Sequence, residues 1–271
     1  MRPLLASAAL LAVAASCGTT PPPPPPPPPG DDAAEEATAA RPEPLAYVEQ
    51  LTGGADPGDR LPLVITLHGR GATPESFQQF FEAMAHPARL IHLEAPIEEH
   101  DGRAWFTFWN HTPQGLANTM ATLADRAAET ARRVARDRPT RGRPVVTGFS
   151  QGAMLVYIMA LRHPDAFAAY LPVSGVLPRA FTPDAGARLD DLPPIVAFHG
   201  EADPIIPLSA ERRTIAMLRA HGANAEIRTF PDIPHWIMGA LREDLHRELA
   251  SLAGTDGGPE GAPREITSPR G

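Results

Sequence analysis

The stretch Val145-Val146-Thr147-Gly148-Phe149-Ser150-Gln151-Gly152-Ala153-Met154-Leu155-Val156 decides how this chain is read. A β-branched apolar pair runs straight into glycine, and an apolar pattern resumes after Gly152 with no breaker before Arg162. That order predicts strand, sharp turn and helix, with Gly148-Phe149-Ser150-Gln151-Gly152 forming the turn. The two glycines answer a physical need. Such a turn forces the serine backbone into a strained conformation and brings neighbouring elements so close that a Cβ would obstruct them. The helix N-terminus behind Ser150 adds positive potential beside its hydroxyl.

Outward from this turn the same alternation continues. Short apolar, β-branched runs predict strands at Leu63–Leu67, Leu90–Leu93, Val145–Val146, Tyr170–Val173, Ile195–Phe198 and Ala225–Phe230. Helices are predicted at Pro74–Ala85, Leu116–Arg136, Gln151–Arg162, Leu208–His221 and Trp236–Leu252. Thr73-Pro74 supplies a cap and a first-turn proline, and Gly222 stops the helix that ends at His221. Alternation of this kind over 45–253 implies an α/β domain whose mostly parallel sheet carries helices on both faces. Ligands on such sheets sit at the carboxyl ends of the strands. The search for chemistry is thereby confined to the loops after each run.

A serine hydroxyl is a poor nucleophile until an imidazole takes its proton and a carboxylate fixes the imidazole's tautomer. On this kind of sheet the three occur in the order Ser, acid, His. His235, in the loop Phe230-Pro231-Asp232-Ile233-Pro234-His235-Trp236, is the candidate base. His163, His221 and His246 fall in or at the ends of helices, and His199 precedes the best acid. That acid is Asp203, in His199-Gly200-Glu201-Ala202-Asp203, with Glu201 and Asp232 as alternatives. Two backbone N–H groups must face a developing oxyanion. Gln151, after the serine, and Arg70, in Leu67-His68-Gly69-Arg70-Gly71-Ala72, are the candidates, while His68 reads as a brace for that loop. No metal-binding spacing is present among the ten histidines, so no metal is expected, and no glycine-rich phosphate loop ends in lysine.

Five pieces now stand in order: Leu67-His68-Gly69-x-Gly71, Arg103-Ala104-Trp105-Phe106, Gly148-Phe149-Ser150-Gln151-Gly152, His199-Gly200-x-x-Asp203-x-x-x-Pro207 and the His235 loop. Together they make Pro62 to Met238 resemble the phospholipase/carboxylesterase family of α/β-hydrolases, also called acyl-protein thioesterase-like. The resemblance implies a cofactor-free Ser/Asp/His enzyme that hydrolyses a small-molecule or lipid ester, or a thioester, through an acyl-enzyme. It also implies that Arg103 to Phe106 line the approach to the serine, which makes Trp105 and Phe106 candidate substrate-binding residues. The dense aromatics Trp105, Phe106, Phe108 and Trp109 read equally well as core. The chain departs from the family at Thr107, where an Asp is common, and at Arg70, where an aliphatic residue is typical. Arg70 either favours an anionic substrate or points into solvent. Only 18 residues, Val176 to Pro193, separate two predicted strands. That is too few for a large cap domain, so an open site is expected. Related readings are a feruloyl- or polyester-depolymerase-type esterase and, from another class, a non-catalytic binding lipoprotein on the same fold.

The 271 residues carry 24 basic side chains, all Arg, against 32 acidic ones, for a net charge of −8. Net acidity argues against a sequence-independent nucleic-acid binder, which needs a basic patch. The absence of Lys is read as a coding bias of the source genome. One cysteine cannot form an internal disulfide. The apolar run Leu4–Ala15 is too short to span a bilayer, which takes ~20 residues, and residues 1–16 read as a signal peptide. Val13-Ala14-Ala15-Ser16-Cys17 resembles the lipobox of bacterial lipoproteins, which implies lipid attachment at Cys17. Residues 17–44 then form a linker in which Pro21–Pro29 is an extended polyproline II spacer and the acidic stretch from Asp31 to Glu36 keeps clear of anionic headgroups. Residues 254–271, rich in Gly, Pro and charge, read as a disordered tail. The expected location is a bacterial cell-envelope membrane, held through that anchor, or the secreted soluble fraction.

Overall fold

The computed structural model describes residues 42–99, 101–109 and 111–253. The signal segment, Cys17, the proline spacer and the C-terminal tail read from the sequence lie outside these residues. In chain order the elements are β1 (Tyr47–Thr52), β2 (Leu61–Leu67), α1 (Pro74–Gln78), β3 (Ala88–Leu93), β4 (Ile97–Glu99), β5 (Gly102–Ala104), α2 (Pro113–Asp137), β6 (Thr140–Phe149), α3 (Gln151–Arg162), β7 (Ala169–Val173), β8 (Ile195–Gly200), α4 (Leu208–Ala220), β9 (Ala225–Phe230) and α5 (Gly239–Leu252).

Seven strands form one sheet in the order β1-β3-β2-β6-β7-β8-β9, and β4 pairs with β5 in a separate hairpin. β1 runs antiparallel to β3 at the edge, and every other pairing in the large sheet is parallel. The register sets the loops level with one another: Leu67 lies opposite Gly148, Phe149 opposite Val173, and Gly200 opposite Phe230. The segments after β2, β6, β7, β8 and β9 therefore leave the same edge of the sheet, where the expected chemistry lies.

Both faces are covered, and the alternation of side chains along β2 shows how. Leu63, Ile65 and Leu67 point into a core shared with Ala124, Ala127, Ala128 and Ala131 of α2, with α3, and with Ile215 and Leu218 of α4. Val64 points the other way, toward Phe77, Phe80, Phe81 and Met84 and toward Leu241, Leu245 and Leu249 of α5. Burial on both faces is why the strands read as continuous apolar runs. Gln151 through Ala160 of α3 are buried all round, since this helix is wedged between the sheet and α2.

Four features differ from the sequence expectations. β1 and the β4–β5 hairpin are additional. α1 ends at Gln78 and gives way to tighter turns, in which Phe80, Phe81 and Met84 donate to carbonyls three residues back. α5 begins at Gly239 instead of Trp236, because His235 and Trp236 lie in a bend, with Trp236 N–H donating to Pro234 O at 2.7 Å, and Met238 is extended. As the short spacing from Val176 to Pro193 predicts, the segment between β7 and β8 holds no cap domain, only a 3-10 turn at Arg179–Phe181.

Candidate active site

Ser150 is the residue at which β6 becomes α3, with φ 55° and ψ −114°. A serine at a helix N-cap ordinarily bonds the first-turn amides. This one does not, and its hydroxyl is left for other partners. Its N–H donates to the Val173 carbonyl at 3.0 Å, fixing the turn to the next strand. Gly152 sits against the end of β2 so tightly that a Cβ would overlap the Leu67 carbonyl oxygen.

His235 places Nε2 3.0 Å from Ser150 Oγ and Nδ1 2.6 Å from Asp203 Oδ2. The other carboxylate oxygen, Oδ1, accepts from the N–H groups of Ile205 and Ile206 at 2.8 Å each. A carboxylate held in this way accepts from Nδ1–H, which leaves the Nε2 lone pair facing the serine O–H. Asp203 is buried, His235 is half-buried, and the His235 ring lies 4.7 Å from that of Phe149. The loops carrying the acid and the histidine pack directly on one another. Ala202 N–H donates to Ile233 O at 3.1 Å, and a Cβ at Gly200 would overlap that same oxygen.

The competing acids lie elsewhere. Asp232 is an exposed turn residue with φ 59°, and Glu201 accepts from the Thr229 hydroxyl at 2.7 Å. Of the other histidines, His163 bonds Asp125 at 2.8 Å, His221 bonds Met217 O at 2.9 Å and His246 bonds Phe80 O at 2.8 Å. Among the described residues no three His, Cys, Asp or Glu side chains converge in a metal-binding group.

The loop after β2 is latched to β5: Gly71 N–H donates to Arg103 O at 2.8 Å, and Arg103 N–H donates to Ala72 O at 3.0 Å. The backbone N–H groups of Arg70 and Gln151 have no hydrogen-bond partner among the described residues. His68 is buried, which lowers its pKa, and it donates from Nδ1 to Gly69 O at 2.8 Å while Nε2 accepts from Ala95 N–H. It braces the loop, as its place before the glycines predicts.

The Arg70 side chain forms a two-pronged pair with Glu99, with Nε 2.7 Å from Oε2. Its guanidinium lies 4.8 Å from the Trp109 ring centroid. The charge expected near the site is therefore already matched by a carboxylate.

Trp105 and Phe106 correct the expectation of a substrate-lining pair. Both have no exposed surface and belong to the core under α2 and α3. The Trp105 indole N–H has its partner inside, the His68 carbonyl at 2.8 Å, so nothing draws the ring outward. Their backbone is held by the Gln151 side chain, which accepts from Trp105 N–H at 3.0 Å and donates to Phe106 O at 2.9 Å. The exposed members of the aromatic run are Phe108 and Trp109. Thr107, in place of the family's usual Asp, bonds Trp109 O and His111 within its own loop.

Sequence reasoning missed one buried group, the pair His199–Glu211 with the Tyr157 hydroxyl on it. Glu211 reads as an ordinary acidic residue in the first turn of α4, and only its placement against His199 of β8, Gly175 after β7 and Tyr157 of α3 buries it.

Similarity to known proteins agrees with this architecture. Residues 56–252 match the phospholipase/carboxylesterase family. NocK of Nocardia uniformis subsp. tsuyamanensis, named as a candidate esterase, is 27% identical over 204 residues, 73% of this chain and 57% of that protein. Acyl-protein thioesterase 1 of Mycosarcoma maydis is 31% identical over 115 residues, 41% of this chain and 46% of the thioesterase. This chain thus spans about half the length of each of these relatives. The Bacillus cereus carboxylesterase structure superposes with a TM-score of 0.62 at 16% identity, covering 82% of this chain and 99% of its own. With the doubly covered sheet and the strand-turn-helix at Ser150, the family match over 56–252 places the chain in the phospholipase/carboxylesterase family of α/β-hydrolases.

Proposed function

We propose that this protein is a serine esterase that hydrolyses carboxylic esters or thioesters through an acyl-enzyme formed on Ser150. The observation that carries this reading is the unbroken chain from Ser150 Oγ through both nitrogens of His235 to Asp203. In the reaction His235 Nε2 takes the hydroxyl proton as Oγ bonds to the acyl carbon, and the same proton is then delivered to the leaving alcohol or thiol. Water repeats the sequence to free Ser150. Asp203 holds the tautomer and stabilises the imidazolium. The Arg70 and Gln151 amides, at the loop after β2 and at the start of α3, bind the carbonyl oxygen as it becomes negative.

The surroundings favour an apolar acyl or alkyl group. Of the six exposed large apolar side chains among the described residues, Phe108, Trp109, Ile205, Trp236 and Met238 lie in the three loops beside or within the site. The test is labelling with a fluorophosphonate probe followed by a series of p-nitrophenyl esters of graded chain length. Labelling at Ser150 that disappears in His235→Ala is expected. An unlabelled Ser150, or full-rate labelling of the variant, would refute the esterase.

The export reading is part of the same proposal: an enzyme tethered to a cell-envelope membrane through Cys17. Cys17→Ser is expected to move the protein from the membrane fraction to the soluble fraction, and an unchanged distribution would remove the anchor.

A further inference from the structure

Behind the Ser150–His235–Asp203 chain runs a second line of hydrogen-bonded side chains, buried throughout. His199, near the end of β8, places Nε2 2.9 Å from the Ile206 carbonyl oxygen and 3.5 Å from Asp203 Oδ2. Its Nδ1 meets Glu211 Oε2. The other oxygen of Glu211 accepts from the Tyr157 hydroxyl at 2.8 Å and from Gly175 N–H at 3.3 Å. His199 and Glu211 have no exposed surface, and Tyr157 has 1%. Glu211 thereby ties α3, the end of β7 and the end of β8 to α4.

Proton counting fixes the state of this line. A carbonyl oxygen only accepts, so His199 Nε2 carries a proton. Nδ1 and Oε2 cannot face each other with lone pairs alone, so a second proton lies between them. The two donors on Oε1 suit a carboxylate, which leaves that proton on His199 and an imidazolium edge turned toward Asp203. Burial opposes a charged His199, but the hydrogen bond and charge of Glu211, the Ile206 carbonyl and the Asp203 charge together outweigh it and hold the imidazole above its usual range. Burial also pushes the Glu211 carboxyl up. Both directions keep the shared proton within the pair.

We propose that His199 and Glu211 form a proton-holding pair that positions Asp203 and offsets part of its charge, and so sets the pH at which His235 works as a base. The proposal rests on the serine-esterase reading. Both residues act through Asp203 and are positioning residues. The groups concerned are few. His235 faces Asp203, Ser150 and the Phe149 ring; Asp203 faces His235, His199 and the amides of Ile205 and Ile206. Glu211 faces His199, Gly175 and Tyr157, whose hydroxyl burial keeps protonated.

Glu211→Gln tests the charge while keeping the shape. Its amide oxygen can accept from Tyr157 and Gly175 and its N–H can donate to a neutral Nδ1, with Nε2–H still on Ile206. Without the imidazolium, Asp203 is less offset and His235 holds its proton more firmly. The acid limb of kcat/KM for p-nitrophenyl acetate is then expected to move up by about half a pH unit, the sign for a carboxylate losing a facing cation. The thermal midpoint should change little. Tyr157→Phe weakens the Glu211 carboxylate without removing it and should move the limb the same way by less, and it decides the matter if Glu211→Gln does not fold. An acid limb that stays at the wild-type position in the folded variants would overturn the proposal. Fluorophosphonate labelling of wild-type Ser150 separates the two failures: no label sinks the esterase itself, whereas a labelled wild type with an unmoved limb sinks only the role of the pair.

Discussion

All three non-glycine residues with left-handed backbone among the described residues, Ser150, Ser174 and Asp232, sit just past the carboxyl ends of β6, β7 and β9. At the opposite end of the sheet the left-handed positions among the described residues, Gly53, Gly54, Gly142 and Gly222, are all glycine, where they carry no steric penalty. The polar chemistry divides in the same way. At the amino end Arg89, 1% exposed, pairs with Glu49 at 2.8 Å and donates to the carbonyls of Pro57 and Pro139 at 2.6 and 3.2 Å. That guanidinium closes three chain segments over the sheet and leaves no reactive group. At the carboxyl end the Ser150 hydroxyl gives no cap to its helix, and the Ser174 hydroxyl is buried without a hydrogen-bond partner among the described residues. Strain of about 1–3 kcal/mol per such residue persists only where the surroundings impose it. One end of the sheet holds the fold together, and the other spends part of that stability on geometry.

If this division holds, substitutions at the two ends should separate activity from stability. The largest effect is expected for Asp203→Asn, which keeps the shape but favours the wrong His235 tautomer and should lower kcat by roughly 10⁴-fold. Asp232→Asn, in the neighbouring loop, should stay near wild type on the same p-nitrophenyl ester. Equal losses in the two would mean that the acid has been misassigned. Next comes Arg89→Met at the opposite end, which takes the buried guanidinium away from Glu49 Oε1, Pro57 O and Pro139 O and leaves Glu49 held by Arg138 alone. It should destabilise by about 3 kcal/mol in a urea titration, with kcat per folded molecule unchanged; a kcat loss there would show that the two ends are coupled. Ser174→Gly removes both the left-handed strain and the unpartnered hydroxyl, and a gain of roughly 0.5–1 kcal/mol in the same titration is expected. A loss would mean that the strain at that strand end is only apparent. The smallest effect is expected for Arg70→Leu. Because Glu99 already pairs with Arg70, the preference between neutral and anionic esters should stay unchanged, and a fall in the anionic ester alone would restore Arg70 as a specificity residue.

The parts of the molecule legible in the sequence are those whose signal is local. The run from Val145 to Val156 announces its own strand, turn and helix, and strands buried on both faces appear as plain apolar runs. The order of Ser150, Asp203 and His235 then follows from which loops leave strand ends. β1 was not legible, because an edge strand reading Tyr47-Val48-Glu49-Gln50-Leu51-Thr52 is only half-buried and shows no apolar run. The three-residue strands β4 and β5 are too short for any period to register. The spacing of Phe77, Phe80, Phe81 and Met84 fits one face of an α-helix and a set of tighter turns equally well, so the true end of α1 was hidden. Trp105 and Phe106 lie before polar residues and look like a loop; their burial is decided by α2 and α3, far along the chain. The pair His199–Glu211 exists only because of tertiary packing, which no spacing in one chain segment reveals.

The contact of Gly152 with the end of β2 bears on how this protein should fail when heated. The Arg70 and Gln151 amides belong to separate chain segments, and their separation is gauged by van der Waals contact between backbones. That contact stops the two segments from approaching further, and the parallel pairing of β2 with β6, in which Leu67 lies opposite Gly148, keeps them from separating. The aperture between the amides therefore changes only when that pairing breaks. Catalytic competence should accordingly persist at full value up to the cooperative melting of the sheet and vanish with it, without a preceding range of slow decline.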